Sequence, residues 1–470
     1  MRTFGYALVA ALLFAVGCGT EPGGMGDDDG NDIVFPYPEI PAEDQRPGDP
    51  AKGYDYLING GYITCGLPKS IAPTGSTADR MAGRTGDNAT LPYYWSAATS
   101  QEGVRVVSAN CLMCHGGRIN GTLVVGLGAA DRDFTKDQVA QLNAAIGFVS
   151  DPTEKAELTR FRDRMAAIAD YSRMLTIGVN PADSLTAALF AHRDPATLTW
   201  SDTPLIALPP VAAVPVDVPP WWRMSKKHAM FYNASGRGDH ARIMMAASLL
   251  CTETVAEARM IDQAFIDVRA WIETSVEVPK WPFGAVDAAL VAQGEVVFEA
   301  TCAKCHGTYG ADGIYPNQLV PLADVGTDAV LVQGETQFGE LFVNWFAASF
   351  WGETSRLDPQ LGYVAPPLDG IWATAPFLHN GSVPTIEALL DSSKRPTYWT
   401  RTFQSTDYDQ ATVGWKFTPL DHGQAAEPNA TARAKIYDTT QIGYGNGGHT
   451  FGDDLGDEDR RAVIEYLKTL

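Results

Sequence analysis

The chain has 470 residues, room for about two to four domains of ordinary size, and its 45% hydrophobic content supplies sizeable cores with no general signature of disorder. With 35 Lys and Arg against 56 Asp and Glu, the formal charge is −21, which argues against a nucleic-acid partner because phosphates attract basic surfaces. Seven cysteines are far too few for a disulfide scaffold and histidines number only eight, so the placement of these residues carries the information.

Arg2 precedes an apolar run from Tyr6 to Val16, too short to span a bilayer and suited to a secretory leader. The run ends in Ala15-Val16-Gly17-Cys18, which resembles a bacterial lipobox. Residues 1–18 are therefore expected to be a lipoprotein signal with Cys18 as the lipidated residue, the alternative being an ordinary signal peptide with an incidental cysteine. Residues 19–50 carry nine acidic residues against one arginine, −8 of the total charge, among many Gly and Pro. Such a segment buries too little to offset its chain entropy and reads as a solvated tether. Gly19 stands where an aspartate commonly retains lipoproteins in the inner membrane. The expected address is the cell envelope, lipid-anchored in the outer membrane and facing the periplasm or the exterior. No other segment reads as transmembrane.

Residues 51–285 form the first expected domain and contain Cys111-Leu112-Met113-Cys114-His115. C-x-x-C-H is the attachment pattern of c-type haem: two thiols bond the vinyl groups along one porphyrin edge, and the next residue places its imidazole beneath the iron. A redox dithiol needs no such histidine, and a zinc pair would want a second pair nearby. Cys65 and Cys251 are left either as a disulfide or as two buried free thiols. Residues 131–175 read as amphipathic helices broken at Asp151-Pro152, a large helical and irregular insertion. The apolar, Pro-rich stretch from Leu205 to Pro220 should run extended into Trp221-Trp222-Arg223-Met224-Ser225-Lys226-Lys227-His228-Ala229-Met230-Phe231-Tyr232. Most of these aromatics read as core.

Residues 286–470 form the second expected domain. Its first helix, Val286 to Cys302, places Gly294, Phe298 and Cys302 on one face and leads into a second attachment motif, Cys302-Ala303-Lys304-Cys305-His306. The chain ends in a helix from Asp457, the expected N-cap, to Leu470, with Val463, Ile464, Leu467 and Leu470 as its apolar stripe. All eleven methionines lie at or before Met260, so this domain has no methionine to offer an iron bound at His306. Its remaining strong ligands are His379, His422 and His449, with tyrosine a poorer option. His422 stands in a polar stretch and reads as a surface residue. His449 follows a glycine-rich run, Gly443 to Gly448, that can approach a flat ligand closely.

The stretch Pro366-Pro367-Leu368-Asp369-Gly370-Ile371-Trp372-Ala373-Thr374-Ala375-Pro376-Phe377-Leu378-His379-Asn380-Gly381-Ser382 resembles the signature of di-haem cytochrome c peroxidases. Its Val383-Pro384-Thr385 continuation, the Gly445–Gly452 run and Trp221-Trp222 through Arg237 are similar to the rubber oxygenase branch. The resemblance implies a mainly α protein with little β, built from two cytochrome c-like domains, whose first and last helices cross with Gly294 allowing close approach. It implies two covalent haems on Cys111, Cys114, His115 and on Cys302, Cys305, His306. It makes His449 the second ligand opposite His306, His379 a structural histidine near that haem, and the carbonyls of Thr374 and Pro376 ligands of an interdomain calcium. Trp221 or Trp222 takes the place of an interhaem electron relay.

The peroxidase pattern is incomplete. No Phe-Trp-Asp-Gly-Arg run follows the first haem motif. The nearest analogue is Met230-Phe231-Tyr232 leading to Gly236-Arg237, which makes Phe231 and Arg237 candidates beside the first haem. Glu253 stands at a tolerable spacing for a distal acid. The chain also lacks much of the length of rubber oxygenases. Two expectations follow. One is a redox enzyme with an open first haem for peroxide or dioxygen, served by an electron-donor protein or acting on a hydrophobic substrate. The other is an electron carrier whose first haem is closed by Met224, Met230, His228 or His240. A binding module with structural haem would need only one.

Overall fold

The computed structural model describes residues 33–210 and 213–470. The expected signal peptide and Cys18 lie outside the described residues. The fold is mainly helical, 40% helix and 12% strand, and the strands form small separate sheets.

Two helix crossings, one in each half of the chain, organise this architecture. The first half opens with Pro50–Asn59, capped by the Asp49 carboxylate, which accepts from the Ala51 and Lys52 amides, and closes with Val255–Ser275, capped by Thr254. These two helices pack so closely at Gly53 that a Cβ there would lie 1.9 Å from the Asp267 carbonyl oxygen. The second half opens with Ala288–Thr301, capped by Asp287, and closes with Asp457–Leu467. Gly294 is their contact point, where a Cβ would lie 2.0 Å from the Ala462 carbonyl oxygen. Phe298 and Tyr466 pack beside it with ring centres 5.3 Å apart. The N-cap of the last helix is Gly456, one residue before the expected Asp457. Asp457, Glu458 and Asp459 instead fill the first turn, where the helix dipole favours negative charge.

Between the first crossing pair lie a three-stranded antiparallel sheet with Arg105–Ala109 in its centre and the hairpin of Gly116–Ile119 with Thr122–Val125. The helical insertion follows as Gln138–Ile146, Pro152–Ala167 and Ala182–Ala191, with the expected break at Asp151-Pro152 realised as a cap. Cys65 and Cys251 are joined as a disulfide, their Cα atoms 5.3 Å apart. The halves are not separate cores. The Val330–Ala348 helix of the second half packs Trp345 and Phe346 against Phe190 of the first, within one apolar cluster, and the Trp345 indole donates to the Arg193 carbonyl at 2.7 Å.

The solvated tether expected through residue 50 gives way to docked chain from residue 33. Ile40 is buried, its amide bonded to the Asn317 carbonyl at 2.8 Å. Arg46 pairs with Asp239 and, at 2.7 Å, with Asp262, and Glu43 pairs with Arg356. Charges that looked solvated, Glu43 and Arg46, have partners of opposite sign far away in sequence. Among the described residues, no helix is long and apolar enough to cross a membrane.

The Gly294 contact gives a stability test. Gly294→Val forces a side chain onto a carbonyl, and overpacking of this kind costs about 1–3 kcal/mol or more. Thermal or denaturant unfolding should show a lowered midpoint. A midpoint equal to that of the parent would mean that the two helices do not meet there.

Candidate functional site

The better-defined site lies in the second half. Cys302 ends the Ala288–Thr301 helix, its amide bonded to the Phe298 carbonyl at 2.7 Å, and a single turn, Ala303–His306, carries Cys305 and His306. His306 Nδ1 lies 2.8 Å from the Pro366 carbonyl oxygen. A carbonyl can only accept, so Nδ1 holds the proton and Nε2 keeps its lone pair. Facing His306 is His449, with ring centres 6.2 Å apart and planes at 54°. Two metal–nitrogen bonds of about 2 Å each, with the distance from each ring centre to its nitrogen, add to about 6 Å. The pair therefore has the spacing of two imidazoles sharing one metal ion. Burial lowers the pKa of both rings, that of His449 to about 4 with help from the charge His306 would carry, so both are neutral and able to ligate near pH 7.

Backbone contacts hold His449 in place. It sits at φ +46°, and its amide donates to the Val325 carbonyl at 2.6 Å. Gly448 passes so close to Gly326 that a Cβ would lie 2.1 Å from that backbone. Arg395 donates to the carbonyls of Asn446, Gly448 and His449, and the Asn380 amide donates to those of Gly443 and Gly445. The two histidines and both cysteines line one cavity of about 190 Å³, walled by apolar side chains such as Phe298, Leu368, Phe377 and Val463. A planar, largely apolar ligand with a central metal fits this donor set.

The first-half site is built differently. The Cys111 amide donates to the Tyr62 hydroxyl at 2.7 Å, and the Asn180 amide donates to Cys114 Sγ at 2.8 Å. The hairpin returns to the motif through the Gly126 and Ala129 amides, which donate to the carbonyls of His115 and Cys114. His115 stacks on Trp221, with ring centres 4.7 Å apart and planes at 23°. Its Nδ1 is buried without a partner, and burial depresses its pKa to about 3.

One short helix, Trp221–Lys226, joins the two sites. Trp221 lies on His115, while the Trp222 indole and Arg223 Nε both donate to the Asp369 carbonyl at 2.8 Å. Gly370 has φ +61° with Trp222 packed against it. Arg223 and Lys227 reach the His306 cavity, as does Asp217. Sequence reasoning gave these three no role, because an isolated charged residue in an aromatic run carries no signal of the cavity it enters.

The remaining expected residues fall in distinct places. His379 lies in the His306 cavity, stacked on Tyr363, with Nε2 and the Tyr363 hydroxyl 3.1 Å apart. Thr374 and Pro376 also line that cavity. No group of three or more His, Cys, Asp or Glu side chains suited to a metal ion occurs among the described residues. His422 is bonded to the exposed Asp421. Arg237 pairs with Glu43 and Asp358 and donates to the Pro41 carbonyl, so it fastens the docked N-terminal segment. Glu253 is engaged by Arg160, Arg164 and Arg193, an ion cluster that leaves it unsuited to the distal-acid role. Phe231, at φ +69°, lines a separate apolar chamber of about 100 Å³ that also contains Asp183 and Glu335.

Comparison with known proteins gives a coarse relation. A family model described as "RoxA-like, cytochrome c-like" matches residues 362–400, which include Pro366, His379 and the intervening signature. Uncharacterized protein y4iJ of Sinorhizobium fredii (strain NBRC 101917 / NGR234) is 25% identical over 573 aligned residues, covering 96% of this chain and 91% of that protein. Uncharacterized protein y4iM of the same strain is 31% identical over 301 residues, 56% of this chain and 66% of that protein.

The Phe231 chamber carries a pH prediction. Burial, then the charge of Glu335, raises the Asp183 pKa above the carboxylate range. In the unfolded chain the group ionises near 4, so above that pH the native state binds more protons and stability falls as pH rises. Asp183→Asn should therefore stabilise the protein increasingly as pH rises above about 4. Denaturant unfolding across that range checks this, and a pH-independent difference between variant and parent contradicts it.

Proposed function

We propose that this chain is an exported di-haem c-type cytochrome, made of two cytochrome c-like domains, that transfers electrons and acts as a redox enzyme. The observation that carries the reading is the pair of Cys-x-x-Cys-His motifs, one of which faces a second imidazole at 6.2 Å. The glycine-centred crossing of first and last helices in both halves supports the domain reading, as does the similarity of residues 362–400 to a cytochrome c-like family.

Cys302, Cys305 and His306 would hold one haem with His449 as its second ligand, and Cys111, Cys114 and His115 the other. Bound haem supplies a one-electron iron couple. The Pro366 carbonyl fixes the His306 tautomer and strengthens it as a ligand. Two imidazoles opposite each other close the second site to small molecules, which suits electron relay. At the first site His115 is backed by Trp221, and the site is assigned to peroxide or dioxygen. Trp221 and Trp222 are adjacent in one helix; Trp221 stacks on His115, and Trp222 lies in the apolar cluster that includes Phe298 and Leu368 of the second cavity, which supports assigning them the electron path. The substrate side is a donor protein or a hydrophobic molecule, and the location is the envelope, through a lipid on Cys18.

One observation favours the carrier reading. His240 is 2% exposed, neither ring nitrogen makes a hydrogen bond, and the Glu273 carboxylate lies 4.0 Å from Nδ1, so the neutral ring keeps the lone pair of an unused ligand. His228, in contrast, places Nδ1 2.7 Å from the Ile40 carbonyl.

Ferric spectra separate the two. The enzyme reading expects one low-spin and one high-spin haem, with carbon monoxide binding the reduced first haem. Two low-spin haems unaffected by carbon monoxide or peroxide would overturn it in favour of the carrier. His449→Ala should convert the second haem to high spin. An unchanged low-spin signal would return the second ligand to His379 or Tyr444.

A further inference from the structure

The cavity between His306 and His449 contains more positive charge than its walls neutralise. Arg223 is 5% exposed, and although its Nε donates to the Asp369 carbonyl at 2.8 Å, its Nη2 is buried with no partner. Lys227 lines the same cavity, and among the described residues neither cation forms an ion pair. The nearby carboxylate, Asp369, is taken by the exposed Lys226, whose amine lies 2.8 Å from Oδ1. The acid inside the cavity, Asp217, accepts from the Tyr232 hydroxyl at 3.2 Å, and burial raises its pKa to about 8, so it is largely protonated at neutral pH. Lys304 also lines the cavity but is exposed, its charge kept by water. Arg223 is buried and Lys227 half-buried, and a cation withdrawn from water persists where an anion pairs with it; no wall carboxylate lies within ion-pair distance of either.

The missing charge must therefore arrive with the occupant. Resting on the reading that Cys302 and Cys305 carry a haem, we propose that Arg223 and Lys227 anchor the two propionates of that haem, so that the first half of the chain binds the cofactor attached to the second. A bidentate guanidinium and a compact ammonium are the groups that bind carboxylates most strongly. Desolvation, with the charge of Arg223, lowers the Lys227 pKa to about 8, and a propionate beside it would raise it. The same short helix that lays Trp221 on His115 then grips the other haem two residues later, which fixes the distance between the two sites.

The test is the midpoint potential of the low-spin haem, read by spectroelectrochemical titration of the full chain. A cation beside the haem favours the reduced form, so Lys227→Gln and Arg223→Gln should each shift this midpoint downward. The other haem should keep its midpoint. Lys226→Gln removes the same charge one residue earlier but from solvent, where salt screens it, and should cause much the smaller shift. Lys227→Arg should restore most of the parent value. Should Arg223→Gln fold poorly for want of its bond to Asp369, the Lys227 pair decides. Midpoints for Lys227→Gln and Lys226→Gln that coincide would overturn the proposal. A chain whose Cys302–Cys305 segment carries no haem would overturn the functional reading as well, and is recognised by the missing absorbance before any potential is measured.

Discussion

Two neutral imidazoles, held 6.2 Å apart across an apolar cavity, are the constraint to which the second half of the molecule is fitted. The spacing is meaningful because each ring is fixed from behind. His306 is turned by the Pro366 carbonyl, and His449 is positioned by a backbone loop that Arg395, Asn380 and Val325 hold through main-chain atoms. Side-chain variation in the loop leaves these bonds in place, whereas the glycine at 448 is required by the 2.1 Å approach to Gly326. Burial, helped by the positive charges of nearby groups, then completes the chemistry by keeping both rings neutral.

The helix crossings serve this arrangement. Ala288–Thr301 delivers Cys302 and His306 into the cavity, and the terminal helix contributes Val463 and Leu467 to its wall. The contact at Gly294 sets how close those two helices come, so a glycine remote from the cysteines helps shape the cavity. In the first half the equivalent role falls to Gly53. The two halves are then locked together by Trp221–Lys226, by the Val330–Ala348 helix and by the docked residues 33–49, which makes their relative position a property of the core.

Much of the site was legible in the sequence, because covalent attachment demands a fixed local pattern. The two cysteine–histidine motifs and the lack of methionine after Met260 narrowed the second ligand at His306 to His379, His422 or His449, and the family resemblance chose His449. The contact at Gly294 was expected from the same resemblance, in which the first and last helices cross at a glycine. What escaped notice depends on long-range approach. The Pro366 carbonyl, the Arg395 clamp and the entry of Arg223 and Lys227 into the cavity join residues dozens or more apart, and no local period records them. The docking of residues 33–49 was missed because Glu43 and Arg46 read as solvated charges until their partners Arg237, Arg356, Asp239 and Asp262, far away in sequence, were in view. Arg237, expected near the first haem, is engaged by that docked segment instead.

The most direct measurement is peptide mapping by mass spectrometry of the protein isolated from a host that matures c-type cytochromes. The peptides containing Cys111–Cys114 and Cys302–Cys305 should each carry one haem through two thioether bonds. Free thiols or a disulfide within either peptide would contradict the account at its base.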